Sequence, residues 1–314
     1  MDADKRYLKK IKAAHLIYKE QMALQDVAKL LGVSRPTLTK LIDEMLEEGI
    51  VNIQIKYPSN TRENLEVANK VRRKYGLRDV VVTSASTPDS EDIFESIGSA
   101  GADYFQDILR KDMVVGATGG RTIYSLVSNV SHNSKITGLR IITTTGGSLY
   151  ANTTYHANTV VQRLADCLNA TGHFIYAPTY ADDSTQHAIL LGNSQIKSTL
   201  DMCKKVDIVL SGIADTEAAL CYLPKPNDKW IDKGAEKEIV GAINTLLIRA
   251  DGSPLEMPIS KLFVGLAYED LKRVETVIAL AGGKRKHAAV KAALLGGYVS
   301  VLVTDQFTAE YLLQ

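Results

Sequence analysis

"VVGATGGRT", Val114–Thr122, decides how the rest of the chain is read. Its apolar start has the length of a buried strand, and it breaks off into glycines flanked by threonine and arginine. Glycines let a backbone come close to a ligand, and the first amides of a following helix favour an anionic group. Five further runs share the pattern: "DVVVTSAS", "LRIITTTGG", "VDIVLSGIAD", "VETVIALAGG" and "VSVLVTD". Helical segments follow these runs, and strands alternating with helices predict an α/β fold with a parallel sheet. In open parallel sheets, ligands lie outside the carboxyl ends of the strands.

Four of the expected strand ends are chemically alike. Met113–Ala117 leads to "TGGRT", Leu139–Thr144 to "TGGS", Val206–Leu210 to "SGIAD" and Val274–Ala281 to "GGKRK". The candidate effector site is therefore Thr118, Gly119, Gly120, Arg121, Thr122, Thr145, Gly146, Gly147, Asp215 and Lys286. Threonine hydroxyls suit sugar or phosphate oxygens, Arg121 and Lys286 suit a phosphate, and Asp215 can accept from sugar hydroxyls. A single glycine pair after a strand is commonly just a tight turn. It is the repetition at equivalent strand ends that predicts one shared crevice. No cofactor is expected, because the G-x-G-x-x-G fingerprint is missing and "GATGGRT" lacks the Gly-Lys-Ser/Thr of a P-loop. The six histidines show no metal-ligand spacing and Cys167, Cys203 and Cys221 no close pairing, so no metal site is expected either.

The 314 residues are enough for two domains with separate cores. A formal net charge of +1 excludes a general polycation, so any contact with nucleic acid must come from a local patch. The start "MDADKRYLKK" has no apolar signal core, and no run of about 18 uncharged apolar residues occurs. With three unclustered cysteines, a reducing, cytoplasmic setting is expected. The texture changes near "YPSN". Residues 1–57 are helical in pattern; 58–78 read as a linker helix, Asn64–Tyr75, capped by Gly76; 79–314 read as the effector-binding and oligomerisation domain.

In the first part, "LQDVAKLLGVSRPTLTKLIDEMLEEGIVNIQI" carries the information. Leu24, Val27, Ala28 and Leu31 fall on one face of a short helix, and Gly32 supplies the positive φ of a tight turn. Ser34 is suited to cap the next helix, Pro36 fits its first turn, and Leu38, Leu41, Ile42 and Met45 form its apolar stripe. This is the spacing of a helix-turn-helix, with "GIVNIQI" expected as a short strand after it. Its second helix then turns Ser34, Arg35, Thr37, Thr39 and Lys40 toward DNA, at the end that enters a major groove. Arg35 suits a guanine edge or a phosphate, Lys40 a phosphate, and the threonines bases or backbone. Lys9, Lys10 and Lys12 are expected to add phosphate contacts, while Asp43, Glu44, Glu47 and Glu48 gather at the far end. The competing reading is a helical hairpin that only packs, with these charges as a solvated face.

Taken together, "LQDVAKLLGVSRPTLTKLIDEMLEEGIV", "VVGATGGRTIYSLV" and "VIALAGGKRKHAAVKAALLGGYVSVLVTDQFTAEYLL" resemble the SorC family of sugar-responsive transcription regulators nearly end to end. The resemblance implies an effector domain related to sugar-phosphate isomerases and glucosamine-phosphate deaminase, which binds a sugar, polyol or sugar phosphate and forms dimers or tetramers on operator DNA. By the family pattern, Gly119, Gly120, Arg121 and Thr122 form one ligand loop, Gly146 and Gly147 another, and Lys286 belongs to the last. The chain departs from that pattern where "VGAINTLLIRADG" has Ala242 and Leu246 in place of an Asp and an Arg. It departs again at Ser260, Lys261 and Leu262, in place of N-D-R, and at Thr145, where some relatives have an imine-forming lysine. The missing charges favour a neutral sugar, a polyol or a monophosphate over a bisphosphate.

The expected function is thus a non-enzymatic, DNA-binding regulator of a carbohydrate or polyol operon. The alternative is a sugar-phosphate isomerase or deaminase with an accessory N-terminal domain. That chemistry needs a positioned base, for which Asp215 and Glu217 are the acidic candidates in the strand-end loops.

Overall fold

Along the strands of the larger of two units, successive side chains enter different cores, and this alternation organises the fold. The computed structural model describes residues 2–51, 61–132, 136–148, 153–221, 223 and 233–314. The chain forms two compact units, Met1–Pro58 and Ser59–Gln314.

The smaller unit contains α1 (Asp2–Ala14), which runs on through a π-helical turn at His15–Lys19, then α2 (Leu24–Leu30) and α3 (Arg35–Glu47). Its core is Ala13, Leu16, Val27, Ala28, Leu31, Leu38 and Met45. Gly32 makes the corner at φ +62°. Ser34 caps α3 by accepting the Thr37 amide on Oγ at 3.3 Å. Leu24 departs from the expected buried face: it is the first residue of α2 and is 39% exposed. Most of the strand expected at 49–55 lies outside the described residues.

The larger unit runs α4 (Thr61–Tyr75), β1 (Asp79–Thr83), α5 (Asp92–Ile108), β2 (Val114–Ala117), α6 (Arg121–Asn129), β3 (Arg140–Thr143), α7 (Ala157–Leu168) and β4 (Thr171–His173). It continues with α8 (Ser184–Gly192), α9 (Ser194–Cys203), β5 (Ile208–Asp215), α10 (Thr216–Cys221), α11 (Lys233–Glu236), β6 (Gly241–Ile243) and β7 (Leu246–Ile248). It ends with α12 (Tyr268–Arg273), β8 (Thr276–Leu280), α13 (His287–Leu295), β9 (Val301–Asp305) and α14 (Gln306–Leu313). The main sheet has the order β1-β9-β8-β5-β2-β3-β4 with every pairing parallel, as the alternating pattern predicts.

Val114, Ile142, Val209, Val277 and Leu302 share a core with Val71 of α4, Ile196 of α9, Val290 of α13 and Leu312 of α14. Their strand neighbours Val115, Ile141, Leu210, Ile278 and Val303 share another with Phe105 of α5, Leu126 of α6 and Leu164 of α7. Side chains alternate across a strand, so a sheet covered by helices on both faces reads as unbroken apolar runs. The segment expected as a linker packs into this architecture: Ala68 and Val71 of α4 are buried, and Tyr75 Oη donates to the Leu312 carbonyl at 3.0 Å. An apolar stripe gives the helix a core to join.

A second departure lies at "SGIAD". Instead of a loop after a strand ending at Leu210, β5 continues to Asp215 and pairs antiparallel with β6, Ile213 opposite Ile243 and Asp215 opposite Gly241. The β6–β7 hairpin supplies the partner, turning through Asn244 and Thr245 at φ +51° and +65°. Two successive positive φ values give the hairpin twist that matches its strands.

Candidate functional site

Beyond the carboxyl ends of β2, β3, β5 and β8 lies a cavity of about 660 Å³. That volume is typical of small-molecule sites. Thr118, Gly119, Gly120, Arg121, Thr122, Thr145, Gly146, Asp215 and Lys286 all line it. Gly147 does not. Its amide donates to the Ala177 carbonyl and its own carbonyl accepts the Thr179 amide, each at 2.8 Å, so it serves the backbone.

Thr118, Thr122 and Thr145 are only 6%, 4% and 4% exposed, and their hydroxyls have no hydrogen-bond partner among the described residues. Those hydroxyls open onto the cavity, where they can donate to and accept from a polar occupant. The carbonyl groups nearby are spoken for. Gly146 O accepts Thr179 Oγ1 at 2.8 Å, and Tyr155 O accepts the Gly120 amide at 2.8 Å.

The charges are arranged unequally. Arg121 lies over the Phe94 ring, 4.2 Å from its centroid, and is paired with Glu91. Arg285 pairs with Glu217 at 2.5 Å and with Asp215 at 3.4 Å, and Asp215 also accepts the Ala218 amide at 2.9 Å. Lys286 has no carboxylate within ion-pair distance among the described residues, and its Nζ stands 5.8 Å from the Phe94 centroid. Burial pushes its ammonium down to about 8; Asp215 works against that shift, while Arg121 and Arg285 add to it.

Sequence reasoning missed Glu91, at the end of the loop after β1, Phe94, in the first turn of α5, and Asn244 at the hairpin tip, all of which line the cavity. The strand "DVVVTSAS" was a signal for the first, but its loop lacks the glycine pair that marks the others. Asn244 is locked by Thr144 Oγ1 donating to its Oδ1 at 2.6 Å and by its Nδ2 donating to the Leu266 carbonyl at 2.9 Å. Of the positions that depart from the family pattern, Ala242 lines the cavity and Leu246 is buried in the core, while Ser260, Lys261 and Leu262 are not among the lining residues. Asp89, Glu91, Asp215 and Glu217 balance Arg121, Lys284, Arg285 and Lys286 around the cavity.

In the smaller unit, Arg35, Thr37, Thr39 and Lys40 are all exposed on α3. Three hydroxyls are already committed: Ser34 Oγ to the cap and to Thr37 Oγ1 at 2.7 Å, and Thr39 Oγ1 to the Arg35 carbonyl at 3.1 Å. At the far end, Glu44 pairs with Arg6 at 2.5 Å and with Lys10 at 3.0 Å, and Lys10 pairs with Glu48 at 2.5 Å. Lys10 is therefore not the phosphate contact expected of it; it is buried between two acids, whereas Lys9 and Lys12 are exposed. Hydrogen bonds from Arg6, and then from Lys10, hold the Glu44 carboxyl down to about 2.

No helix among the described residues is long and apolar enough to cross a membrane, and no group of three His, Cys, Asp or Glu among them could hold a metal ion. Residues 59–314 match the family described as "Putative sugar-binding domain". The deoxyribonucleoside regulator of Bacillus subtilis is 28% identical over 316 residues, covering 99% of each chain. The sorbitol operon regulator of Klebsiella pneumoniae is 27% identical, covering 97% of each. The crystal structure of that full-length Klebsiella regulator, SorC, superposes with a TM-score of 0.73 at 26% identity, covering 99% of this chain and 100% of the other. The chain belongs to the sugar-binding domain family and, over nearly its whole length, to the SorC-type transcriptional regulators.

Proposed function

We propose that this protein is a DNA-binding transcriptional regulator of a carbohydrate or polyol operon, with α3 reading operator DNA and the cavity of the larger unit holding the effector. The observation that carries the effector reading is a cavity of about 660 Å³ whose lining brings the hydroxyls of Thr118, Thr122 and Thr145 together with Lys286. The relatives reported above are named as regulators. The enzyme reading is disfavoured by the acids it needs, since Asp215 and Glu217 are both held by Arg285 and neither is free to act as a base.

The effector is a neutral sugar, a polyol or a monophosphate. Arg121 and Arg285 are neutralised by carboxylates, which leaves Lys286, half-buried in the lining, for a single phosphate, while Lys284 stands exposed to solvent. The protein acts in the cytoplasm as a homodimer or homotetramer, so that two copies of α3 meet half-sites about 34 Å apart. The effector changes operator affinity only insofar as it binds the two arrangements of the reading units unequally.

Calorimetric titration of the full chain with sugars, polyols and their mono- and bisphosphates tests this. One saturable site for a neutral or singly phosphorylated ligand is expected. Affinity for a phosphate monoester should fall as pH rises through about 8, where Lys286 loses its proton. Tight binding of a bisphosphate alone, or turnover of any ligand, would contradict the proposal.

A further inference from the structure

The carboxyl group of Asp305, at the end of β9, is fully buried, and the described residues place no cation against it. Its partners are all polar neutrals. Oδ2 accepts the Gly283 amide at 2.8 Å and Thr308 Oγ1 at 2.6 Å, and Oδ1 accepts the Thr308 amide at 3.0 Å. Thr308 Oγ1 also lies 3.1 Å from the Gly283 nitrogen. The approach is close enough that a Cβ on Gly282 would fall 2.3 Å from Oδ2. One side chain therefore caps α14 and pins the loop after β8, the loop that carries Arg285 and Lys286 into the cavity.

The same helix is tied down at its other end. His287, directly after Lys286, stacks on Tyr311 with centroids 4.5 Å apart, and the Leu312 carbonyl accepts Tyr75 Oη at 3.0 Å. Tyr75 is the last residue of α4, the first helix of the larger unit in chain order. The contacts run without a gap from the Lys286 loop to Asp305, along eight residues of α14, and into α4.

We propose that Asp305 is a positioning residue for the effector, fixing the Gly283–Lys286 loop against the cavity, and that α14 carries the position of that loop to α4. The proposal rests on the effector-site reading above for its biological meaning, but its two contacts are testable without the natural ligand. Contiguity alone is not coupling, so the test must move one end and read the other.

Pyridoxal 5′-phosphate serves as the probe, an aldehyde that is also a phosphate monoester. It condenses with an unprotonated lysine amine, expelling water to form an imine, and borohydride added by the experimenter reduces the imine to a stable amine. With the full chain, labelling at Lys286 is expected, with a rate that rises to a midpoint near pH 8. The charged groups facing the amine are Asp215, Arg121 and Arg285, and none of the three is substituted in the variants. Asp305→Ala should free the loop, move the midpoint toward the ordinary lysine range and slow labelling at pH 7.5 on the order of tenfold or more. Asp305→Asn keeps an acceptor for Gly283 and should restore most of the rate. If Asp305→Ala does not fold, Thr308→Val removes the hydroxyl between Asp305 and Gly283 and should shift the midpoint in the same direction by less. At the far end, the labelled full chain should show slower hydrogen exchange in residues 65–75 than the unlabelled chain. Tyr75→Phe should abolish that response while leaving the labelling rate unchanged.

An unlabelled Lys286, an unmoved midpoint in Asp305→Ala or Thr308→Val, or a full α4 response in Tyr75→Phe would overturn the proposal. Failure of every sugar and sugar phosphate to bind would overturn the effector reading instead, and these outcomes are read independently.

Discussion

The smaller unit and the cavity of the larger one both set threonine hydroxyls beside cations, but in opposite ways. On α3, Arg35, Thr37, Thr39 and Lys40 stand in solvent, and the hydroxyls of Ser34 and Thr39 are satisfied by the helix itself. In the cavity, the hydroxyls of Thr118, Thr122 and Thr145 line the open space and make no bond to the described residues, and the arginines at the rim are matched with carboxylates. The first arrangement is complete as it stands and suits a long partner that approaches from water, where each contact is modest and salt-sensitive. The second is incomplete and suits a small polar molecule that becomes enclosed. The same side chains suit different partners according to whether their hydrogen bonds are already made within the protein.

The contrast can be broken first at the core of the smaller unit. Leu38 is 1% exposed, and Leu38→Ala should destabilise that unit by about 2–5 kcal/mol. Calorimetric unfolding should show the loss while the transition of the larger unit stays put; a shared loss would mean the two units unfold as one. Next, Arg35→Ala should cost about 1–3 kcal/mol in operator binding and relax base preference at one position if it reads a guanine. Unchanged sequence preference would reduce Arg35 to a phosphate contact.

A sharper version compares two hydroxyls. Ser34→Ala removes a made bond and should cost the unliganded protein about 1 kcal/mol. Thr122→Val removes an unmade one, so unliganded stability should be held or raised while effector affinity falls by about 0.5–1.5 kcal/mol. Equal losses of unliganded stability would show that Thr122 is already bonded. The smallest effect lies at Glu44. Its carboxyl titrates near 2 in the folded unit, below the 4.5 of a free glutamate, so the pair's contribution is complete above about pH 4.5 and is lost as pH falls toward 2. Glu44→Gln should flatten that acid limb of the unfolding curve, and an unaltered limb would assign it to other acids.

How much of this could be read beforehand depended on distance along the chain. The α2–α3 unit writes its signals within a few residues: Gly32 for the turn, Ser34 for the cap, and Leu38, Leu41 and Met45 for the stripe. The parallel strands were visible because a strand covered on both faces needs an unbroken apolar run. The hairpin was hidden, since its turn is Asn244–Thr245 and the usual second glycine is absent. Without it, β5 looked finished at Leu210. Lys10 and Glu48 are far apart in sequence, so nothing local revealed that their charges cancel. Phe94 and Glu91 escaped notice for a related reason: they act on Arg121, thirty residues away from Glu91, across a loop with no distinctive composition.

The most direct test of the account measures operator affinity of the full chain with and without a saturating amount of whichever ligand the calorimetric titration identifies. Coupled sites predict a change of roughly 5- to 150-fold, matched by the same factor in effector affinity when operator is present. Identical operator affinity in both conditions, for every ligand that fills the cavity, would contradict it.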